Sequence, residues 1–149
     1  VSALFNSSFM IWLERILLRE QSIAPNLVFE IDEEILDCHL AASIRMFEML
    51  RRVGSRSCIS KFGRGLGSFR LYRELRPDYI KLDSALIDSI ERDSASQQFI
   101  RMIVEISHRL GCVVIAEGVE NMSQRETLER MYVDGVQGQL VSKIIQISN

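Results

Sequence analysis

The chain has 149 residues, 47% of them hydrophobic and 26% charged, with a net charge of -2. Those proportions suit a soluble globular domain with a real core and argue against disorder. No apolar run approaches the roughly 20 residues of a membrane span, and Val1 opens on neither a charged n-region nor a signal-like apolar stretch. Cys38, Cys58 and Cys112 are an odd number without CxxC spacing, so neither a disulfide framework nor a zinc site is expected, and a reduced, cytosolic setting is. His39 and His108 are too far apart in sequence to suggest a metal cluster.

Charge is unevenly distributed. Residues 1–44 carry two basic and seven acidic side chains, residues 45–81 ten and three, and residues 82–149 six and ten. A basic middle block suits phosphate-bearing partners. Its arginines, Arg51, Arg52, Arg70, Arg73 and Arg76, also read as ordinary solvated helix faces.

In chain order, Phe9, Leu13, Ile16 and Leu17 have helical spacing, with Ser7 or Ser8 as N-cap. Pro25-Asn26 breaks the pattern, and Leu27–Ile31 reads as a buried strand that includes Glu30. Asp32, Glu33, Glu34 and Asp37 crowd the start of the next helix, whose face is Leu40, Ile44, Phe47 and Leu50 and whose stop is Gly54. A strand over Ser57–Ser60 then opens into the glycine-rich turn Lys61-Phe62-Gly63-Arg64-Gly65.

Ser68–Leu75 is a short helix stopped by Arg76-Pro77, and Tyr79–Leu82 a brief strand carrying Lys81. A helical patch at Leu86–Ile90 precedes a longer helix with Phe99, Ile103, Ile106 and Leu110 on one face and Gly111 as its stop. Cys112–Ala116 is a strand that ends at Glu117-Gly118. Ser123-Gln124-Arg125-Glu126 reads as a capping box. Val136-Gln137-Gly138 closes the series as a fifth strand.

Apolar strands alternating with helices indicate parallel βα units covered on both faces. An open doubly wound sheet and a (β/α)8 barrel both fit. The barrel is favoured because Glu30, Ser60-Lys61, Lys81, Glu117 and Gln137 all fall at C-terminal strand ends, where a barrel gathers its site. A complete barrel usually needs about 200 residues or more. The expectation is therefore an α/β chain forming the latter part of a TIM-like barrel, about five βα units, with its N-terminal portion before Val1. Two carboxylates, a lysine and an amide at one mouth would suit metal-assisted phosphoryl chemistry.

These residues resemble the EAL domains, bacterial cyclic di-GMP phosphodiesterases with a modified (β/α)8 barrel, along essentially all of residues 1–149. Leu27–Glu33 is similar to the family's "EITE" strand, Lys61–Gly65 to its "DDFGTG" loop and Tyr79–Asp83 to its "KID" strand. Ile115–Glu120 is nearly verbatim "AEGVE", and Val136–Gly138 matches "QG". The resemblance implies that Glu30 is a metal-ligand glutamate, Lys81 the lysine beside the attacking water, Glu117 the general-base candidate and Gln137 a supporting glutamine. Glu33 and Glu120 correspond to the acids that brace the loop, which here holds Phe62, Gly63 and Gly65. The family's name-giving motif and its ligand asparagine are expected upstream of Val1.

The departures carry the functional expectation. Ser60 and Lys61 stand where the family has two metal-bridging aspartates. An ammonium at ~4 Å from a unit cation costs about 4 kcal/mol at an effective dielectric near 20, and a dication doubles that. No cofactor is expected, with Mg2+ or Mn2+ required only in an active enzyme. Lys61 is expected to pair with Glu30 or Glu117. Gln139 and Ile144 replace the usual aromatic and proline of the last loop.

The reading is a degenerate, non-hydrolytic domain acting as a cyclic di-GMP-linked regulator. The alternatives are a regulator of small-RNA turnover of the carbon-storage type and an active metal-dependent cyclic di-GMP phosphodiesterase. Expected partners are cyclic di-GMP, a partner protein or RNA, and a second copy in a homodimer, with no membrane contact by this segment. The expected location is the cytoplasm, either free or as the cytosolic domain of a membrane-anchored protein.

Overall fold

The computed structural model describes residues 6–65, 67–138 and, as backbone, 141–146. Helix α1 (Ser7–Arg19) leads through a 3-10 turn at Ala24–Asn26 into strand β1 (Val28–Asp32). Pro25 suits that turn because its fixed φ and missing N–H cost nothing at a helix start. Helices α2 (Glu33–Cys38) and α3 (Leu40–Val53) follow, then β2 (Arg56–Phe62), α4 (Ser68–Leu75) and β3 (Tyr79–Leu82). The chain continues through α5 (Ser84–Asp88), α6 (Ser94–Leu110), β4 (Val113–Ala116), α7 (Met122–Arg130), β5 (Gly135–Gly138) and β6 (Val141–Gln146).

The strands lie side by side in sequence order. β1 to β5 are parallel, and β6 returns antiparallel to β5. This is the α/β arrangement expected from the alternation, with the hairpin to β6 as an addition. Level residues in neighbouring parallel strands share a face. Ile31, Ile59, Ile80 and Val114 form one such row, and none is more than 7% exposed. They lie in the core with Phe47, Leu50, Leu71 and Leu75 from α3 and α4. Burying each such side chain stabilises the fold by about 1.5–3 kcal/mol.

Gly54 and Gly111 end α3 and α6 in left-handed conformation, as expected. Three local expectations are corrected. The single helix after β1 is two, because the backbone turns at His39 (φ -133°). Ser43 shares its Oγ–H between His39 O at 2.7 Å and Leu36 O at 3.2 Å, adding to the backbone bonds those carbonyls accept from Ser43 N and His39 N and tying the two helices together across the break. Asn6, not Ser7 or Ser8, caps α1, accepting from Ser8 N at 2.8 Å. Asn121, not Ser123, caps α7: it accepts from Gln124 N at 2.8 Å, and Gln124 Oε1 accepts from Glu120 N at 2.8 Å, a reciprocal cap shifted along the chain.

Candidate functional site at the strand ends

Strand alternation puts Glu30 and Asp32 of β1, Cys58 and Ser60 of β2, and Lys81 of β3 on the face opposite the Ile31 row. Glu117, just beyond β4, and Gln137 of β5 continue it at the strand ends. Its centre is Lys81. Nζ lies 2.7 Å from Glu30 Oε1 and 3.7 Å from Glu117 Oε1, and the Lys81 side chain is 14% exposed. Burial pulls the Lys81 pKa down. The hydrogen bond and charge of Glu30, with the charge of Glu117, outweigh it and hold the ammonium above its ordinary value. Burial pushes the Glu117 carboxyl up; Lys81 opposes this and Glu30 adds to it.

Cys58, level with Glu30 on the neighbouring strand, is 1% exposed. Burial, reinforced by the Glu30 charge, pushes its thiol up to about 12. Gln137 Oε1 is buried without a hydrogen-bond partner among the described residues. Gln137 does bond through its backbone, with Val119 N donating to Gln137 O at 3.1 Å.

At the end of β2, Ser60 Oγ donates to Asp32 Oδ1 at 2.6 Å. Lys61 Nζ sits 3.3 Å from Asp32 Oδ2. This corrects the expected pairing of Lys61, because Lys81 already occupies Glu30 and Glu117. The backbone supplies a second reason. Ile59 is level with Ile80, and Phe62 with Leu82, so Ser60 and Lys61 together oppose Lys81 alone. Lys61 is the extra residue of a β-bulge, with φ 51°. A bulge re-aims its side chain, and a left-handed non-glycine residue costs about 1–2 kcal/mol. The Ser60 hydroxyl, followed after a smaller effect of burial by Lys61, holds the Asp32 carboxyl below its ordinary value.

Beyond the bulge, the Glu33 carboxylate faces the backbone of the turn. Glu33 is 5% exposed, and its carboxylate accepts from Gly63 N at 3.4 Å and from Arg64 N and Gly65 N at 3.2 Å each. Gly63 (φ 101°) is required here. A Cβ would lie 2.6 Å from Leu86 Cδ1 and 3.0 Å from Phe99 Cε1, and Phe62 packs edge-on to Tyr72 beneath. Arg64 Nε approaches Asp83 Oδ1 at 3.8 Å, and Asp83 also caps α5 through Ala85 N. Glu120 does not join this brace. It is exposed, and among the described residues its backbone N–H is the group that is engaged.

Glu30, Lys81 and Glu117 are thus brought together, Ser60 and Lys61 gather around Asp32, and Glu33 holds the loop. Asp32, Arg64, Asp83 and Cys58 were not among the expected site residues. Asp32 stands two residues after Glu30 in one strand, a spacing that places both on one face. Gln139 lies outside the described residues, and Ile144 lies in β6, which is described by its backbone alone. A cavity of about 310 Å³ beside the bulge is lined by Asp32, Glu33, Asp37, Lys61 and Arg64 among others. No group of three or more His, Cys, Asp or Glu side chains able to hold a metal ion occurs among the described residues.

Parallel strands with a lysine set between two glutamates at their C-terminal ends define part of a (β/α)8 barrel whose mouth is lined by ionised groups. The chain belongs to the EAL domain family, whose model matches residues 1–144. It is 31% identical over 142 residues to the signaling protein YkoW of Bacillus subtilis, covering 95% of this chain and 18% of that protein. It is 27% identical over 135 residues to the cyclic di-GMP phosphodiesterase PdeF of Escherichia coli, covering 91% of this chain and 18% of PdeF. The Vibrio cholerae LapD S helix-GGDEF-EAL structure bound to c-di-GMP superposes with a TM-score of 0.84 at 26% identity, covering 94% of this chain and 34% of that one. The chain thus spans about a fifth of the curated relatives it matches. Among the described residues no helix is long and apolar enough to cross a membrane.

Proposed function

We propose that this chain is a degenerate EAL domain that binds cyclic di-GMP without hydrolysing it and acts as a cytoplasmic regulatory module. The observation that carries the reading is the state of the carboxylates. Glu30 is held by Lys81 at 2.7 Å, and Asp32 by Ser60 at 2.6 Å and Lys61 at 3.3 Å. At the two positions where the family resemblance calls for metal-bridging aspartates, a neutral hydroxyl and an ammonium replace two negative charges. Such a donor set does not fit a pair of divalent cations, which prefer ionised oxygen ligands and are repelled by an ammonium. Lys61 instead supplies a built-in positive charge beside Asp32. With Lys81 it gives the mouth two ammonium groups, each ion-paired to a carboxylate, whose remaining N–H donors suit the phosphodiesters of a cyclic dinucleotide.

A second reading, an active phosphodiesterase, is favoured by the convergence of Glu30, Lys81 and Glu117. Calorimetry with cyclic di-GMP, with and without Mn2+, beside a turnover assay separates the two. The proposal expects binding of equal strength with and without metal and no turnover. It also expects the double variant Ser60→Asp, Lys61→Asp to gain Mn2+ binding. Metal-dependent turnover by the unaltered chain would establish the second reading, and absence of nucleotide binding would reject both.

A further inference from the structure

A second surface lies away from the strand ends, between α4 and α6. The two helices are held together by Tyr72 OH and Ser107 Oγ, 2.9 Å apart and buried, and by the rings of Phe69 and Phe99, edge to face at 5.5 Å. Between them runs a groove of about 680 Å³. Arg70, Arg73 and Arg76 line it at three-residue spacing from α4 and its C-cap. Ile106 and Leu110 line it at four-residue spacing from α6. Arg70 and Arg73 share one helix face and Ile106 and Leu110 another, and Arg76 joins the arginines from the left-handed cap, so cationic groups stand opposite aliphatic ones.

These groups are unsatisfied in complementary ways. Among the described residues, Arg70, Arg73 and Arg76 form no salt bridge; the arginines that do are Arg52, Arg64, Arg109 and Arg125. The carboxylate in the groove lining, Asp78, is turned to Ser57, accepting from its N at 2.8 Å and its Oγ at 3.4 Å. Like charges one helical turn apart destabilise the helix they sit on, and acidic groups from outside would relieve that repulsion. Leu110 of α6 is 65% exposed and Phe69, at the start of α4, 37%, apolar groups at the rim that water covers poorly. The presentation is rigid: Arg51 Nη1 donates to Leu75 O at 2.9 Å and so ties down the end of α4.

We infer that this groove docks an acidic amphipathic segment of a partner protein, its carboxylates on Arg70, Arg73 and Arg76 and its apolar side chains on Phe69, Ile106 and Leu110. A single-stranded nucleic acid would present phosphates to the same arginines, but it also needs exposed ring faces for base stacking. The groove's one partly exposed ring already packs against Phe99, and its most exposed apolar group is an aliphatic leucine. The occupant favoured is therefore a peptide with leucine-like side chains and acids along one flank, the helix-in-groove mode of recognition. This inference is independent of the nucleotide site.

The test is fluorescence anisotropy on the full chain with a labelled helical peptide of Glu and Leu, about 14 residues long with leucines on one face. A scrambled peptide of the same composition and a uridine oligonucleotide serve as competitors. The expected result is saturable binding of the patterned peptide, weakened about tenfold in Arg70→Gln, Arg73→Gln, Arg76→Gln and severalfold in Leu110→Ser. Raising salt from about 0.05 M to about 0.3 M should weaken the unaltered chain and hardly affect the arginine variant. Leu110→Ser changes an exposed side chain only, so it remains informative if the triple variant fails to fold. No binding of the patterned peptide, equal binding by all variants, or displacement of the peptide by the oligonucleotide at lower concentration than by the scrambled peptide would overturn the inference.

Discussion

Replacing Lys81 by Met removes the charge at the centre of the site while keeping an unbranched chain of similar length. In the native arrangement its ammonium stands 2.7 Å from Glu30 and 3.7 Å from Glu117. At such distances each attraction amounts to about 1 kcal/mol in a water-like dielectric and about 4 kcal/mol at an effective value near 20. Glu30 is 42% exposed and Glu117 26%. Solvent therefore screens both, and exposed pairs keep only about 0–1 kcal/mol. Stripping one partner from a fully buried pair costs about 3–5 kcal/mol, so this half-buried group should lose about 2 kcal/mol at neutral pH.

The pH dependence makes the reasoning specific. Burial already holds the Glu117 carboxyl above 4.5, and Lys81 opposes that rise; without Lys81 it climbs further. A carboxyl whose folded pKa is raised favours the native state below its unfolded value, and that advantage disappears as pH rises through the folded one. The loss from Lys81→Met should therefore be small near pH 4 and full at about pH 8, measured by urea unfolding with an unchanged m value. A loss of equal size at both pH values would show that packing, not charge, holds Lys81, and would refute the argument.

Three further outcomes are expected. Ser60→Ala removes the main cause of the depressed Asp32 pKa, so its carboxyl should titrate closer to 3.8 by NMR. Native Asp32 favours folding above 3.8 and loses that contribution as pH falls through its lowered value, and the variant should resist acid less well only through that window. Glu33→Gln keeps one acceptor oxygen but turns an NH2 group either to Gly63 N or to Arg64 N and Gly65 N, so at least one of these N–H groups loses its acceptor. It should cost about 2 kcal/mol and speed hydrogen exchange at those amides; unchanged exchange would rule out the brace. Gly63→Ala combines a left-handed φ with contacts at 2.6 and 3.0 Å and should cost about 2–3 kcal/mol in thermal unfolding. Gly54→Ala, left-handed but with nothing within 4 Å of the added Cβ, should cost only about 1 kcal/mol; equal losses would mean that the contacts are relieved without strain.

The strands and most helices were legible because their signals are local. Ser68–Leu75 and Tyr79–Leu82 fall where the periodicity and the Arg76-Pro77 stop place them. The break at His39 was not legible, because no glycine or proline marks it and the Ser43 hydroxyl that accommodates it acts from the following helix. β6 escaped notice because the polar pair Ser142-Lys143 interrupts its apolar pattern, and its pairing with β5 is a matter of tertiary contact. Glu30, Lys81 and Glu117 could be nominated from their positions at strand ends. The destination of Lys61 could not, since lysine carries no signal for the left-handed conformation that a bulge imposes, and the register that creates the bulge exists only once β2 and β3 have paired. Aspartate adopts that conformation more readily than most residues, so Lys61→Asp would ease the backbone of the bulge as well as reverse its charge.

The buried thiol of Cys58 makes the chain its own reporter of opening. Cys58 and Cys112 are 1% and 4% exposed, and their pKa values are pushed to about 12 and about 11. At neutral pH neither offers appreciable thiolate to an alkylating reagent, while Cys38 is exposed. Cys38 therefore labels as a prompt internal reference. Cys58 can be modified only when β2 parts from its neighbours and the carboxylate of Glu30 withdraws, so its alkylation rate counts the excursions in which the mouth of the barrel comes apart.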